Sequence, residues 1–295
     1  MIQFFNFYET MKPRVMYLSI FTSFCALMAA YNYNSIQPDL FSVLFTVLFI
    51  SLGAGASGAL NMWWDADIDR DMTRTKNRPI PSGKLSEHTV LIFGLLLSFL
   101  SISGLFFVSN FLSASLLAFT IFFYVVIYSM ILKRTTPQNI VIGGAAGALP
   151  PVVAWSAVTG DVTIQAILFF FIIFFWTPPH FWSLSIFSND DYKKVNIPML
   201  TVTHGVAVTT QKIIKYTFLT VLSVLAYFYF IGNMVAFGFA ALLSADFVRR
   251  VYELHFTDSK EFVAKNVFFF SIIYLFSIFF LILIDSIFNM LTTYL

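Results

Sequence analysis

Residues 267–284 read VFFFSIIYLFSIFFLILI and contain no charged side chain. A run of this length crosses the roughly 30 Å hydrocarbon core of a bilayer as a helix. The same test applied outward along the chain predicts nine spans, at 15–34, 41–62, 89–108, 112–131, 139–157, 163–185, 213–231, 234–251 and 267–287. Barrel strands would alternate apolar and polar residues, and these runs do not. Because lipid then admits only helices, the sequence predicts an all-α polytopic membrane protein.

Composition supports this class. Of the 295 residues, 59% are hydrophobic and 11% are charged, whereas a soluble domain carries about 25% charged residues. The single cysteine, Cys25, lies in an apolar stretch, which excludes a disulfide framework and a cysteine metal site. The formal net charge of +2 gives no indication of a nucleic-acid partner. The apolar run after Arg14 lacks a small-residue cleavage signal, so we expect the first span to be permanent.

Basic residues follow the predicted topology. All 17 Lys and Arg precede the first span or follow an even-numbered span, which places them on one side of the membrane. Since cytoplasmic loops carry the excess of basic residues, the N-terminus is predicted to be cytoplasmic. The eighth span is the weakest, because Asp246, Arg249 and Arg250 lie near its end. No Arg-rich transit peptide is present, so we expect the plasma (inner) membrane of a bacterium.

Polar residues spaced by four follow the second span, in the segment 61–79, NMWWDADIDRDMTRTKNRP. Asn61, Asp65 and Asp69 fall on one helical face. Like charges stacked in this way destabilise a helix unless a cation lies between them. Carboxylate and amide oxygens suit Mg²⁺, which takes further ligands from water and phosphate. Three basic residues follow at once and are suited to a diphosphate leaving group: Arg74, Lys76 and Arg78.

A simpler interpretation of the same segment is a solvated loop with surface ion pairs. Asp67 and Asp71 would then pair with Arg70 and Arg74. Asn61 favours the metal interpretation, because it extends the row of Asp65 and Asp69 by one turn toward the membrane.

A looser copy of this order follows the sixth span. Asp190 and Asp191 precede Lys193 and Lys194, and Pro198 comes next. The copy lies four spans later on the same side of the membrane, so we expect the two loops to face each other. Together they would clamp one diphosphate or hold two metal ions.

The sixth span ends in Trp176-Thr-Pro-Pro-His180-Phe-Trp182. Pro178 and Pro179 would break or kink a helix, which a membrane tolerates where a cavity is lined. His180 is therefore expected near the mouth of an apolar chamber. Binding of a haem iron, base catalysis, a bond to a propionate and simple packing all remain open for it. His204 follows the second loop and has a weaker case.

At these residues the chain resembles the intramembrane (UbiA-type) prenyltransferase superfamily, through the Asn61, Asp65 and Asp69 row and the following Arg74–Pro79. Further segments resemble its branch of protohaem IX farnesyltransferases (haem O synthases): Lys12–Val15, Tyr128–Thr135, Asn139–Pro151, Trp176–Trp182 and Asp191–Leu200. The resemblance covers residues 10–215. Other branches carry a second DxxxD motif, which the second loop here lacks, and the haem branch looks similarly altered.

The resemblance implies transfer of farnesyl from farnesyl diphosphate to a vinyl group of haem b, with addition of water, giving haem O for terminal oxidases. Our hypothesis assigns Mg²⁺ to Asn61, Asp65 and Asp69, with Asp190 and Asp191 completing the clamp. It assigns the diphosphate to a basic set: Arg74, Arg78, Lys133, Arg134 and Lys193. His180 and His204 are assigned to haem.

We expect one domain over residues 1–295, with acidic loops at 61–88 and 186–212 and a central chamber open to the cytoplasmic face. The expected partners are the lipid bilayer, the two substrates, and a downstream haem A synthase or the oxidase assembly. An aromatic polyprenyltransferase acting on a quinone precursor is the main alternative; it would share the diphosphate site but lack the Thr-Pro-Pro-His-Phe-Trp segment. A transporter is disfavoured, because transporters place charged coupling groups near the bilayer midplane.

Overall fold

The computed structural model describes the backbone of residues 2–294 and the side chains of residues 4–292. Within that range the chain is helical and has no strand, which confirms the predicted all-α class. The helices are α1 Ile2–Thr10, α2 Pro13–Tyr33, α3 Leu40–Trp64, α4 Ala66–Asp71, α5 Glu87–Val108, α6 Phe111–Phe122, a π-helical segment Phe123–Leu132, α7 Lys133–Thr135, α8 Asn139–Thr159, α9 Ile164–Phe187, α10 Asn189–Lys194, α11 Leu200–Thr203, α12 Gly205–Phe230, α13 Met234–Phe256 and α14 Lys260–Tyr294.

Eight helices in the described part of the chain are long and apolar enough to cross a membrane. They are α2, α3, α5, α6 with its π-helical continuation to Thr135, α8, α9, α12 and α14. Helix α13 occupies the place of the predicted eighth span, but Asp246, Arg249 and Arg250 make it too charged to be counted by composition. The predicted count of nine is therefore not established. Asp246 pairs with Arg249 and with Arg250, at 2.6 and 2.9 Å.

Helix α8 lies at the centre of the bundle and packs against α2, α6 and α9. Its small residues allow this, since a Cβ on Gly144 would press on Thr177 of α9. Aromatic rings close the core, because Phe169 of α9 contacts the rings of Trp155, Tyr227 and Phe279 at centroid distances of 5.8, 4.9 and 5.7 Å. These rings tie α8, α9, α12 and α14 together away from the polar loops.

Both proline pairs lie inside continuous helices, Pro150-Pro151 in α8 and Pro178-Pro179 in α9. The break that the sequence allowed at Pro178 is not present. Neighbouring helices can satisfy the carbonyl groups that a proline leaves free, which is why such pairs persist in membrane helices.

The π-helical segment is the irregular part of the fourth span. Ser129 Oγ donates to the carbonyl of Tyr124, five residues earlier, at 2.8 Å. Such wide turns occur mostly as short insertions and often at functional sites. This one ends at Leu132 and therefore determines where Lys133 and Arg134 lie.

Candidate functional site

The predicted row of polar ligands spans the junction of α3 and α4. The backbone bonds Asp65 N–Asn61 O and Asp69 N–Asp65 O, both 2.9 Å, keep helical spacing across it. Asn61, Asp65 and Asp69 are 3%, 1% and 2% exposed, whereas the side chain of Asp67 is 62% exposed. Burial thus separates the row from the other aspartates of the segment.

Each member of the row contacts a basic side chain. Lys12 Nζ donates to Asn61 Oδ1. Lys133 Nζ lies 2.5 Å from Asp65 Oδ2, and Arg78 Nη1 lies 2.6 Å from Asp69 Oδ2. Burying a carboxylate is costly unless it is paired and hydrogen-bonded. The three cations therefore stabilise the row in the absence of any ligand.

The donor set fits a hard cation. Asp65 Oδ1 is buried and has no hydrogen-bond partner, and Arg134 Nη2 lies 3.7 Å from it. In the described residues, neither the row nor any other place brings three His, Cys, Asp or Glu side chains together as a protein-only metal cage. Two carboxylates and an amide are what Mg²⁺ uses when water and substrate phosphate supply the rest.

Lys12 is the site residue that the sequence analysis missed as a ligand. It follows α1 in the left-handed conformation, with φ of 57°, and its turn rests on α3. A Cβ on Gly58 would lie only 2.6 Å from the carbonyl oxygen of Met11, so glycine is required for the turn to approach this closely. Burial, with the charge of Arg78 as the next cause, lowers the pKa of Lys12 to about 7. Two features of the sequence could have indicated Lys12: its position directly before Pro13, and a glycine, Gly58, about one helical turn before Asn61.

The second acidic loop lies against the first. Asp191 Oδ1 accepts a hydrogen bond from the backbone N–H of Thr73 at 3.2 Å. Lys194 Nζ donates to the carbonyl of Asp71 at 2.6 Å. Arg74 Nη2 lies 3.5 Å from the hydroxyl of Tyr192, which is buried. These contacts bring the two loops together, as the sequence predicted, and they place Asp191 beside the loop that follows the row.

Other predicted site residues lie outside the row. Arg134 forms two 2.7 Å bonds to Asp67, and this guanidinium holds the pKa of Asp67 below its usual range. Asp190 is fully exposed and its nearest cation is Lys193 at 3.9 Å, so the structure does not bring it to the metal row. Asp190, Asp191 and Lys193 border an open cleft of about 570 Å³ between α9, α12 and α14.

The two predicted haem histidines differ in their surroundings. His204 is exposed, and its Nδ1 bonds only to the neighbouring Thr203 hydroxyl at 2.8 Å. His180 lies on α9 between aromatic rings and contacts α14 through Ser271.

An all-helical membrane fold with a buried acidic row and adjoining basic residues defines the class of intramembrane prenyltransferases. The family model for the UbiA prenyltransferase family matches residues 18–284, and the chain belongs to that family. The similarity to the protohaem IX farnesyltransferase branch is also confirmed. Proteins named protoheme IX farnesyltransferase from Rhizobium rhizogenes and Roseobacter denitrificans are 49% and 50% identical to this chain, each over 95% of it and over 88% and 90% of their own length. One from Rhizobium etli is 48% identical over 98% of this chain and 92% of its own length.

Solved structures share the fold. A digeranylgeranylglyceryl phosphate synthase structure matches with a TM-score of 0.77 and 16% identity, over 97% of this chain and 99% of its own. An Aeropyrum pernix UbiA homologue gives 0.73 and 17%, over 90% of this chain and 97% of its own. An Archaeoglobus fulgidus UbiA homologue, bound to GPP and Mg²⁺, gives 0.62 and 15%, over 94% of this chain and 99% of its own.

Proposed function

We propose that this chain transfers the farnesyl group of farnesyl diphosphate to a vinyl group of haem b, with addition of water, giving haem O. The observation that carries the proposal is the buried row of Asn61, Asp65 and Asp69, in which each member already has a cationic partner. A metal–diphosphate group needs both signs of charge at one place. The relatives that share about half of the residues carry the matching name.

The cations of the row are suited to act on the leaving group. Lys133 and Arg78 hold Asp65 and Asp69 when no ligand is present, and Lys12 holds Asn61. When bound, Mg²⁺ would supply a Lewis acid for the diphosphate oxygens. The three basic side chains would bind phosphate oxygens, Arg in a bidentate manner and Lys as a point charge. Together they stabilise the charge that develops as the C1–O bond breaks.

Around this row, Arg74, Arg134 and Lys193 complete the basic set that we assign to the diphosphate. Asp191 anchors the second loop to Thr73 and so holds that loop beside the row. In our proposal Asp190 contributes through the electrostatic field of the cleft rather than as a metal ligand, since it is fully exposed.

The chemistry after ionisation requires a dry chamber. As the C1–O bond breaks, the electron pair leaves with the diphosphate, and the vinyl π electrons of haem b form the new bond to C1. A water molecule then adds its oxygen to the carbon left electron-poor and loses a proton, which leaves a hydroxyl group. Apolar walls keep water from reaching C1 first. We place this chamber within the bundle, open to the cytoplasmic face, in a single domain.

We further propose His180 as the haem-binding histidine in preference to His204, because His204 is exposed and tied to its neighbour. The membrane would be the bacterial plasma membrane, with the N-terminus in the cytoplasm. The product would pass to a haem A synthase or to oxidase assembly in the same bilayer.

Membranes that contain the chain should convert haem b, farnesyl diphosphate and Mg²⁺ into a haem whose mass has increased by farnesyl plus water. Asp65→Ala should remove this product, while Asp67→Ala, a matched exposed carboxylate of the same segment, should retain it. An aromatic quinone precursor tested as acceptor in the same membranes should remain unmodified. Prenylation of that precursor with no change in haem b would replace our proposal with the alternative. Full activity of Asp65→Ala would overturn the assignment of the site.

A further inference from the structure

His180 is held in a fixed orientation between α9 and α14. Its ring stacks on Trp176 of its own helix at 4.4 Å and 16°, and on Phe268 of α14 at 4.5 Å and 24°. Both faces of the imidazole are therefore covered. Ser271, which is fully buried, binds both α9 residues: its carbonyl accepts from Trp176 Nε1 at 2.8 Å, and its hydroxyl lies 2.8 Å from His180 Nδ1.

The hydrogen bonds of Ser271 determine the tautomer of His180. A serine hydroxyl has one hydrogen to donate. Ser271 Oγ lies 2.6 Å from the carbonyl oxygen of Phe268, an acceptor only, so the hydroxyl hydrogen is used there. Toward His180 the same oxygen must accept, and Nδ1 must carry the proton. The other ring nitrogen, Nε2, then has a lone pair.

Among the described residues, the side-chain partner of His180 is Ser271, through Nδ1, and the ring also bonds to the backbone of Phe268, whose carbonyl accepts from Ser271. Nε2 has no side-chain partner there. Trp155 Nε1 and Trp182 Nε1 are buried and have no hydrogen-bond partner, but Nε2 of His180 does not belong to this group of atoms. The ring as a whole is partly exposed. The only edge of the imidazole that is not occupied by a stacked ring or by Ser271 is thus the edge that carries a lone pair.

We propose that Ser271 is a positioning residue that fixes His180 in the Nδ1–H tautomer, so that His180 Nε2 coordinates the iron of haem b. Metal-binding histidines commonly donate their other N–H to a protein oxygen in this way, which sets ring orientation and raises ligand basicity. The inference rests on the proposed function only in taking haem b as the substrate. Ser271 lies in α14, outside the segments that resemble the haem branch.

His180 lies about two helical turns from the polar cleft at the second acidic loop. His180 and Phe187 are seven residues apart on α9, which corresponds to about 10 Å along the helix axis. Phe187 borders the 570 Å³ cleft and contacts Phe268, at 5.7 Å between ring centroids. The cleft therefore approaches His180 through the contact between Phe187 and Phe268.

The test uses the full chain, purified in detergent and titrated with haem b. The wild-type ferrous complex should show an iron–histidine stretching band in resonance Raman spectra. Ser271→Ala should shift that band and weaken haem binding about 10- to 100-fold, the usual cost of losing such a partner. Ser271→Thr, which keeps the hydroxyl, should behave as wild type. His180→Ala should lose the band, and added imidazole should restore it.

Two matched controls separate this role from general packing. Ser286→Ala removes another buried hydroxyl of α14 that bonds only to its own helix, and it should change neither band nor affinity. His255→Ala removes another histidine paired with a hydroxyl, that of Thr210, and it should also be silent. A wild-type complex without the band, or a Ser271→Ala protein identical to wild type, would overturn the inference. If the wild type still makes the farnesylated haem in that case, the proposed function stands; if the band is present and no product forms, the proposed function fails and the iron site stands.

Discussion

Replacing Gly58 by alanine adds one methyl group between α3 and the turn that carries Lys12. The new Cβ would lie 2.6 Å from the carbonyl oxygen of Met11 and 2.9 Å from its carbonyl carbon, both backbone atoms that cannot rotate away. Ordinary contact begins at 3.4 Å, so the turn must move by about 0.8 Å. Lys12 moves with it and loses its short bond to Asn61.

The expected effect on turnover is large. A displacement near 1 Å of a group that positions the reaction can cost about 100-fold. We therefore expect Gly58→Ala to lower the rate of haem O formation by about 10- to 100-fold. Stability should fall as well, because Asn61 is 3% exposed and would keep an unpaired oxygen, at a cost of about 1–3 kcal/mol.

The assay is product formation in membranes at saturating substrates, with thermal unfolding measured on purified protein. Gly238→Ala is the matched control: its Cβ meets no atom within 4 Å, so activity should be unchanged, and alanine should favour the helix by up to about 1 kcal/mol. In a Lys12→Met background, Gly58→Ala should lower the rate of haem O formation by less than a further factor of about two, since the effects of coupled residues are not additive. Turnover of Gly58→Ala within twofold of wild type, or an undiminished loss in the Lys12→Met background, would refute the reasoning.

Three further outcomes follow from the pairings of the charged groups. Asp65→Asn should reduce haem O formation at least about 100-fold. It should also lower the melting temperature, because it leaves Lys133 without its 2.5 Å partner. An unchanged melting temperature would show that this pair contributes nothing to stability. Asp67→Asn should alter turnover and melting temperature little, since its pair with Arg134 is largely exposed. A loss of turnover would show that Asp67 belongs to the site. Asp39, on the opposite face, caps α3 through Ser42, whose N–H and hydroxyl hold the pKa of the carboxyl below 3.8. The folded-state pKa is depressed, so this stabilisation is present above pH 3.8 and is lost as the pH falls through the lowered pKa. Asp39→Ala should therefore lower the melting temperature at pH 7 but not in strong acid. A lowering that is independent of pH would contradict the cap.

The fold and the polar row could be predicted because they depend on local pattern. Apolar runs of bilayer length specify helices whatever their neighbours are. A spacing of four residues specifies one helical face, and the backbone bonds from Asp65 to Asn61 and from Asp69 to Asp65 keep that face through the junction of α3 and α4. The one-sided placement of Lys and Arg predicts that both acidic loops lie at the same membrane surface.

The partners of the row depend on tertiary structure and could not be predicted in this way. Lys12 lies 49 positions before Asn61, and Lys133 lies 68 after Asp65. Lys12 needs a left-handed turn seated on Gly58. Lys133 follows a π-helical segment, which shifts the angular position of every later residue, and apolar periodicity gives no sign of it. The exposure of Asp190 has the same origin, because the rotation of its six-residue helix α10 is set by the burial of Tyr192, a tertiary contact.

The charges of the row favour one metal ion at this position. Asp65 and Asp69 supply two negative charges, which Lys133 and Arg78 balance. Lys12 adds a positive charge only in its protonated form, because burial lowers its pKa to about 7. One Mg²⁺ with one diphosphate ester brings about one net negative charge, which protonated Lys12 offsets. A second ion would add two positive charges, and the second loop is not arranged to offset them, since Asp191 bonds to the N–H of Thr73 and Asp190 faces solvent. We infer that the basic side chains neutralise the charge on the leaving group that a second metal ion would otherwise neutralise.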